Sequence, residues 1–397
     1  MGLLVLIVLG GVAAYVMKPD ERLRVARAGL RLVENSWFAY QDDRAKPDEF
    51  REALRARTRW PLATWTILAA YALVFVSMGG VRGDAGALVR WGGAVAPQTT
   101  DGEWWRLFTA SFVHAGFIAL LVDAAGLTQL AVLVERMLGH AAFAVLYLSG
   151  AIIGTAIELT RHPLVVTVGP TGGILATYGL LLALVVRGTM RRSPMSVPLR
   201  ALKRLAPAAA LFLLHALVTG VLFQAAGMVP LGIGFVFGIV LARDAAERPA
   251  RVNRSVAVGI ATVVIAAGIA VPLRGIVDAR PEVARMLAAE DRTSTEYTAA
   301  IQQFKLGALK SEPIAQMIER RIEPELDQID ARLKALGRVP PEQQPLVTAA
   351  GEYIKSRRES WQLRAKAFHK SNMRLLRDAD EKERAALAAL ERVRQPA

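Results

Sequence analysis

The run VGPTGGILATYG, residues 168–179, sets Thr171 among glycines where a turn becomes an apolar helix. A hydroxyl held on a glycine turn at a helix start is a way to present a nucleophile to substrate. Such a hydroxyl is weak at its free pKa, so acyl transfer there needs an adjacent base and donors for the developing oxyanion. Two further residues could take part. His114 is a candidate base, and Asp123 is an acid inside an apolar stretch, where a charge is costly and faces a hydrated cavity or a partner. The plainer reading of GPTGG is a tight turn and close helix packing, with Thr171 capping the helix that follows. The absence of cysteine excludes a disulfide, a thiol nucleophile and a cysteine metal site, and five scattered histidines argue against a metal centre, so no cofactor is expected.

The elements that position these residues are apolar blocks. Of 397 residues, 53% are hydrophobic, and they fall in long runs instead of periodic stripes, which marks a membrane protein. The runs cover 2–17, 61–78, 107–132, 141–159, 166–186, 205–226, 229–241 and 256–273, eight candidate spans. Arginine and lysine collect in 18–59, in 187–204, which has no acid, and in 243–254. If the spans alternate, these basic segments share one side, the cytoplasmic one, and both termini lie outside. The net charge of +14 then marks loops facing anionic lipid, not nucleic acid. Residues 1–17 lack a basic n-region and a clear cleavage pattern, and read as an uncleaved anchor.

The stretch GEWWRLFTASFVHAGFIALLVDAAGLTQLAVLVERMLG, residues 102–139, together with GPTGG and LGIGFVFG, residues 231–238, resembles the rhomboid family of intramembrane serine proteases. Trp105, Arg106, Glu135, Arg136 and Gly139 stand at the family's spacings. The resemblance implies a six-helix core with substrate entering from the bilayer beside the second and fifth helices. It also implies that the catalytic serine falls on Thr171, followed by Gly172. The base falls on Leu231, with Gly234 and Gly238 retained, and the oxyanion-binding histidine and asparagine fall on Ala119 and Asp123. The residue matching His114 is structural in the family. Ala119 offers no hydrogen bond and an ionised Asp123 would repel an oxyanion, so the site is expected to be degenerate. Should the fold hold, Asp123 would face the same cavity as Thr171 and could accept a hydrogen bond from its hydroxyl. Arg106 would bind loop backbone or lipid headgroups, and Glu135 would tie loops together.

The expected fold is an all-α polytopic membrane protein: a rhomboid-like six-helix core with one extra transmembrane helix at each end and a C-terminal soluble helical domain. The expected parts are an anchor over 1–17, a basic amphipathic cytoplasmic segment over 18–60 with a helix at 20–38, the core over 61–242, a further span over 256–273, and an extracytoplasmic helical bundle or hairpin over 280–397. In the tail, Ile322, Leu326, Ile329, Leu333 and Leu336 form one stripe, and Val347, Ile354, Trp361, Phe368 and Leu375 a second at steps of seven, which pair as a hairpin beside a helix over 286–306. The expected function is binding without catalysis in a bacterial plasma membrane. Asp123, Thr171 and His114 are candidates for contact with transmembrane clients, and the tail for an extracytoplasmic protein partner. The alternatives are an active intramembrane endopeptidase using Thr171, and a membrane-anchored scaffold.

Overall fold

The computed structural model describes residues 49–79, 84–191, 197–242 and 250–394. The anchor expected over 1–17 and the amphipathic helix over 20–38 lie outside them. The chain divides into two compact units, 1–274 and 275–397.

The first unit is a bundle of α1 (Leu62–Ser77), α2 (Phe117–Leu138), α3 (His140–Arg161), α4 (Thr171–Arg191), α5 (Leu199–Val218), α6 (Ala225–Leu241) and α7 (Val252–Ala270). The helices α2, α3, α4, α5 and α7 are each long and apolar enough to cross a membrane. At 17 residues, α6 reaches about 26 Å, slightly under the hydrocarbon thickness. The 16-residue α1 qualifies as a span only when joined to the helix Glu49–Arg57, from which it is bent by 82°. Leu73 and Val76 on α1, Leu211 and Leu214 on α5, and Val263 and Val264 on α7 are all exposed. Apolar faces of this kind suit lipid, where a helix satisfies its own backbone.

Several helix limits differ from the apolar blocks. The block at 107–132 is not one helix: residues Arg106–Thr109 and Ala110–Phe112 form short turns of helix, and α2 starts only at Phe117. These turns are apolar because Leu107, Ala110 and Val113 are buried, so composition alone merges them with the span. The blocks at 166–186 and 205–226 are likewise displaced from α4 and α5, because hydropathy ignores where a helix starts.

Glu135, fully buried near the end of α2, accepts from the backbone N–H groups of Ala63 and Thr64, each at 2.8 Å, and from Thr64 Oγ1 at 2.5 Å. It also pairs with His140. Its carboxylate thus takes the first N–H groups of α1, which have no partner within their own helix. Glu135→Ala is expected to leave these donors buried and unmet, at about 1–3 kcal/mol each. A clear fall of the thermal midpoint in detergent, milder for Glu135→Gln, checks this; an unchanged midpoint contradicts it.

Glycines set the packing of α3, α4 and α6. A Cβ at Gly172 would lie 2.5 Å from Gly150 O, and one at Gly234 would lie 2.0 Å from Ala176 O, so at both points backbones meet with no room for a side chain. At Gly238 a Cβ would likewise run into Leu180 of α4. On the other flank of α3, Thr262 of α7 donates to Ser149 Oγ at 2.6 Å.

In the second unit, α8 (Arg280–Lys305), α9 (Ser311–Met317), α10 (Glu323–Lys334), α11 (Gln344–Lys370) and α12 (Met373–Arg394) share one core that includes Ile322, Leu326, Leu333, Ile354, Trp361 and Phe368. A π-helical turn, Ile318–Ile322, joins α9 to α10, so the first apolar stripe begins in that turn. The second stripe is shorter than its spacing suggests. The chain turns at Ser371, which has φ 48°, and Leu375 belongs to α12, a helix the periodicity did not separate from α11.

Candidate functional site

The start of α4 is fixed by backbone bonds to the long segment before α2. Ala94 and Thr167 form an antiparallel bridge, Ala96 N donates to Pro163 O at 2.9 Å, and Gly169 N donates to Ala110 O at 2.8 Å. Gly169 takes φ 104°, a left-handed value that suits glycine, and so turns the chain into α4. Arg106 braces the same segment: it donates to Val89 O, to Gly93 O at 3.0 Å, and to Glu103. Trp105 is exposed beneath its guanidinium, 4.6 Å from ring centre to Cζ.

Thr171 is the first residue of α4 and is half-buried. Ile174 N donates to Pro170 O at 3.0 Å, which puts the cap position at Pro170, one residue earlier than expected. Among the described residues the Thr171 hydroxyl has no hydrogen-bond partner. Leu231 sits on the neighbouring α6: Gly154 of α3 lies close to both Gly172 and Pro230, each next in sequence to one of the pair. The Leu231 side chain packs against the bundle core. Ala119, half-buried on α2, carries no donor in its side chain.

Asp123 is 4% exposed and faces His114, with Oδ2 3.6 Å from Nε2. His114 Nδ1 lies 3.2 Å from Phe112 O, and since a carbonyl only accepts, Nδ1 carries the proton. A neutral ring would then meet the carboxylate acceptor to acceptor. The pair is favourable when a further proton is held on Nε2 or on the carboxyl. Tyr71 of α1 stacks edge-on against His114 at 4.8 Å and hydrogen-bonds the hydroxyl of Tyr147 on α3. These four side chains form a buried polar cluster between α1, α2 and α3.

This arrangement corrects the expected Asp123–Thr171 bond. Neither group hydrogen-bonds the other among the described residues, and Asp123 is turned to His114. Among the described residues no base bonds the Thr171 hydroxyl, and His114 directs Nδ1 to Phe112 O and Nε2 toward Asp123. The sequence reading missed Tyr71 and Tyr147, which carry no motif, and the His114–Asp123 pairing. The usable signal was the rule that an acid inside an apolar helix needs a partner, with His114 nine residues before it.

The gap between α2 and α5 is closed by Phe212. It is fully buried, its Cβ lies 2.7 Å from where a Cβ on Gly126 would stand, and its ring stacks on Tyr178 at 5.8 Å. Glu135 and Arg136 stand at the far end of α2, before Gly139, whose φ of 93° turns the chain into α3.

Comparison with known proteins places this geometry. Residues 101–244 match the rhomboid domain model. The putative rhomboid protease YdcA of Bacillus subtilis (strain 168) is 40% identical over 87 residues, 22% of this chain and 44% of that protein. Rhomboid protease GluP of the same organism is 30% identical over 124 residues, 31% of this chain and 24% of that protein. The chain therefore spans less than half the length of the curated relatives it matches. The matched region holds α2 to α6, the glycine contacts of α3, α4 and α6, and the Arg106 and Glu135 anchors. Over residues 101–244 the chain is thus similar to the rhomboid domain, within an integral membrane protein of several apolar helices.

Proposed function

We propose that this chain is a rhomboid-fold membrane protein without proteolytic activity, which binds transmembrane segments of other proteins between α2 and α5. The observation that carries the reading is the side chain at position 231. Leu231, where the resemblance puts the family's base, packs against the bundle core and has no group that can take a proton, and His114 is engaged with Phe112 and Asp123. A second reading, an active endopeptidase using Thr171, draws on the relatives, both of which are named as proteases. Against it, no base hydrogen-bonds the Thr171 hydroxyl among the described residues.

On this reading Asp123 serves the buried cluster at rest, and Phe212 is the residue a client helix displaces. The test is a photocrosslinking side chain at Ala125, next to Gly126, in cells that co-express single-span membrane proteins. Intact clients should be captured, and Phe212→Ala should raise capture. Capture of truncated clients would support the protease instead, and no capture from either form would remove the client reading.

The chain is proposed to sit in a bacterial plasma membrane with 187–204 cytoplasmic and 282–397 outside, where the second unit offers a surface to a protein partner. The arginines of 187–204 support this orientation. A periplasm-dependent reporter fused after residue 394 should be active; activity of a cytoplasm-dependent reporter at that place would contradict the orientation.

A further inference from the structure

A cavity of about 270 Å³ lies at the Glu135 end of the membrane unit, walled by the helix Glu49–Arg57, α1, α2 and α5. It is separate from Thr171 and from the polar cluster around Asp123. Its lining has two chemistries. Trp65, Leu133 and Leu205 present apolar surface, while Arg51 from the short helix, Arg136 from α2 and Arg204 from α5 bring three guanidinium groups from three elements.

Arg136 stands within electrostatic range of Arg51 and Arg55, so positive charge is concentrated around this partly apolar cavity. Glu135 is also in range, but its oxygens are directed to Ala63, Thr64 and His140. The Nε of Arg136 is buried without a hydrogen-bond partner, a donor that costs stability until it is met.

The depth of the cavity identifies the anion. The helix Glu49–Arg57 is bent by 82° from α1; with the 16 residues of α1, about 24 Å, taken as the part that crosses, the short helix runs along the surface near the lipid phosphates. Guanidinium groups pair with phosphate through forked, charge-assisted bonds. The apolar wall suits a chain attached to that phosphate, and a free phosphate would leave it unused.

We propose that this cavity binds an anionic phospholipid, with Arg51, Arg136 and Arg204 around the phosphate and an acyl chain along the apolar wall between α2 and α5. The test uses the full chain in detergent, with lipid retention read by native mass spectrometry and stability by the thermal midpoint. Phosphatidylglycerol should be retained and should raise the midpoint, whereas phosphatidylcholine and inorganic phosphate at equal concentration should do neither. Arg136→Gln with Arg204→Gln should cut phosphatidylglycerol retention by about tenfold or more, since each replaces a charge-assisted bond. Arg136→Lys with Arg204→Lys should keep most of it, and Arg161→Gln, an exposed change at the opposite end of α3, should alter nothing. Retention of phosphatidylcholine to the same degree overturns the proposal, as does undiminished retention in the glutamine pair. Stabilisation by inorganic phosphate equal to that by phosphatidylglycerol also overturns it, because the site would then recognise no lipid. The comparison of the three ligands needs only the wild-type chain, so it decides the matter even if the glutamine pair does not fold.

Discussion

Thr171→Ser alone is expected to give no cleavage of a transmembrane substrate, whereas Thr171→Ser combined with Leu231→His, Ala119→His and Asp123→Asn is expected to give a measurable protease. The physical ground is that the changes supply different terms of one rate. A general base contributes about 100- to 10,000-fold, and each oxyanion donor about 100- to 1000-fold. A serine without these groups stays too slow to detect. The contacts that bring α6 against α4, Gly234 on Ala176 and Gly179 on the backbone of Leu231, are already in place, and a histidine at 231 tests whether a base on α6 reaches position 171. Purified variants incubated with a labelled substrate and read on a gel check the result. Cleavage by the single Thr171→Ser variant would show that another group acts as base. A silent but folded quadruple variant would show that the 231 side chain does not reach residue 171.

Arg357→Met is expected to destabilise the second unit by about 3–5 kcal/mol, the usual cost of removing one partner from a buried ion cluster. Arg357 is 2% exposed and bonds Glu290 at 2.8 and 3.0 Å and Glu383 at 2.5 Å, with its guanidinium 4.4 Å from the Trp361 ring. Arg364 binds the other oxygen of Glu383 at 2.5 Å and also Asp380 at 2.8 Å. Methionine would fill much of the space but would leave Glu290 buried beside Tyr353 with no cation. Urea unfolding of residues 275–397 measures the change; a loss under about 1 kcal/mol would place this pair with weak surface bridges. The same cluster sets a pH dependence. Burial pushes the Glu383 carboxyl up, but the hydrogen bond from Arg357 and the charges of Arg364 and Arg357 outweigh this and hold it below its ordinary value. A carboxyl depressed in the folded state stabilises fully above its unfolded pKa, about 4.3. That contribution is lost as the pH falls through the lower folded value. Glu383→Gln should therefore flatten the acid limb of the stability curve.

Much of the membrane unit was legible because its signals are local. Long apolar runs report helices that lipid can accept, and the spacing of Trp105, Arg106, Glu135 and Gly139 with GPTGG is specific enough to carry the family. What stayed hidden depends on rotation and on loops. The sequence places Asp123 inside α2 but does not say which neighbour it meets; that depends on how the segment 110–116 folds back, which brings His114 to it. The merger of 107–113 with α2 has the same origin, since buried loop residues are as apolar as a span. In the second unit, steps of seven run unbroken from Val347 to Leu375, yet Ser371 adopts a left-handed conformation and ends α11 inside that period. The cavity near Arg136 was equally out of reach, because its three arginines are far apart along the chain.

The central claim, a rhomboid fold without proteolysis, is tested most directly by reconstituting the wild-type chain and its Thr171→Ala variant in vesicles with a labelled rhomboid substrate. The account predicts that both leave the substrate at full length after prolonged incubation. Fragments made by the wild type and absent with Thr171→Ala would contradict it and establish Thr171 as a nucleophile.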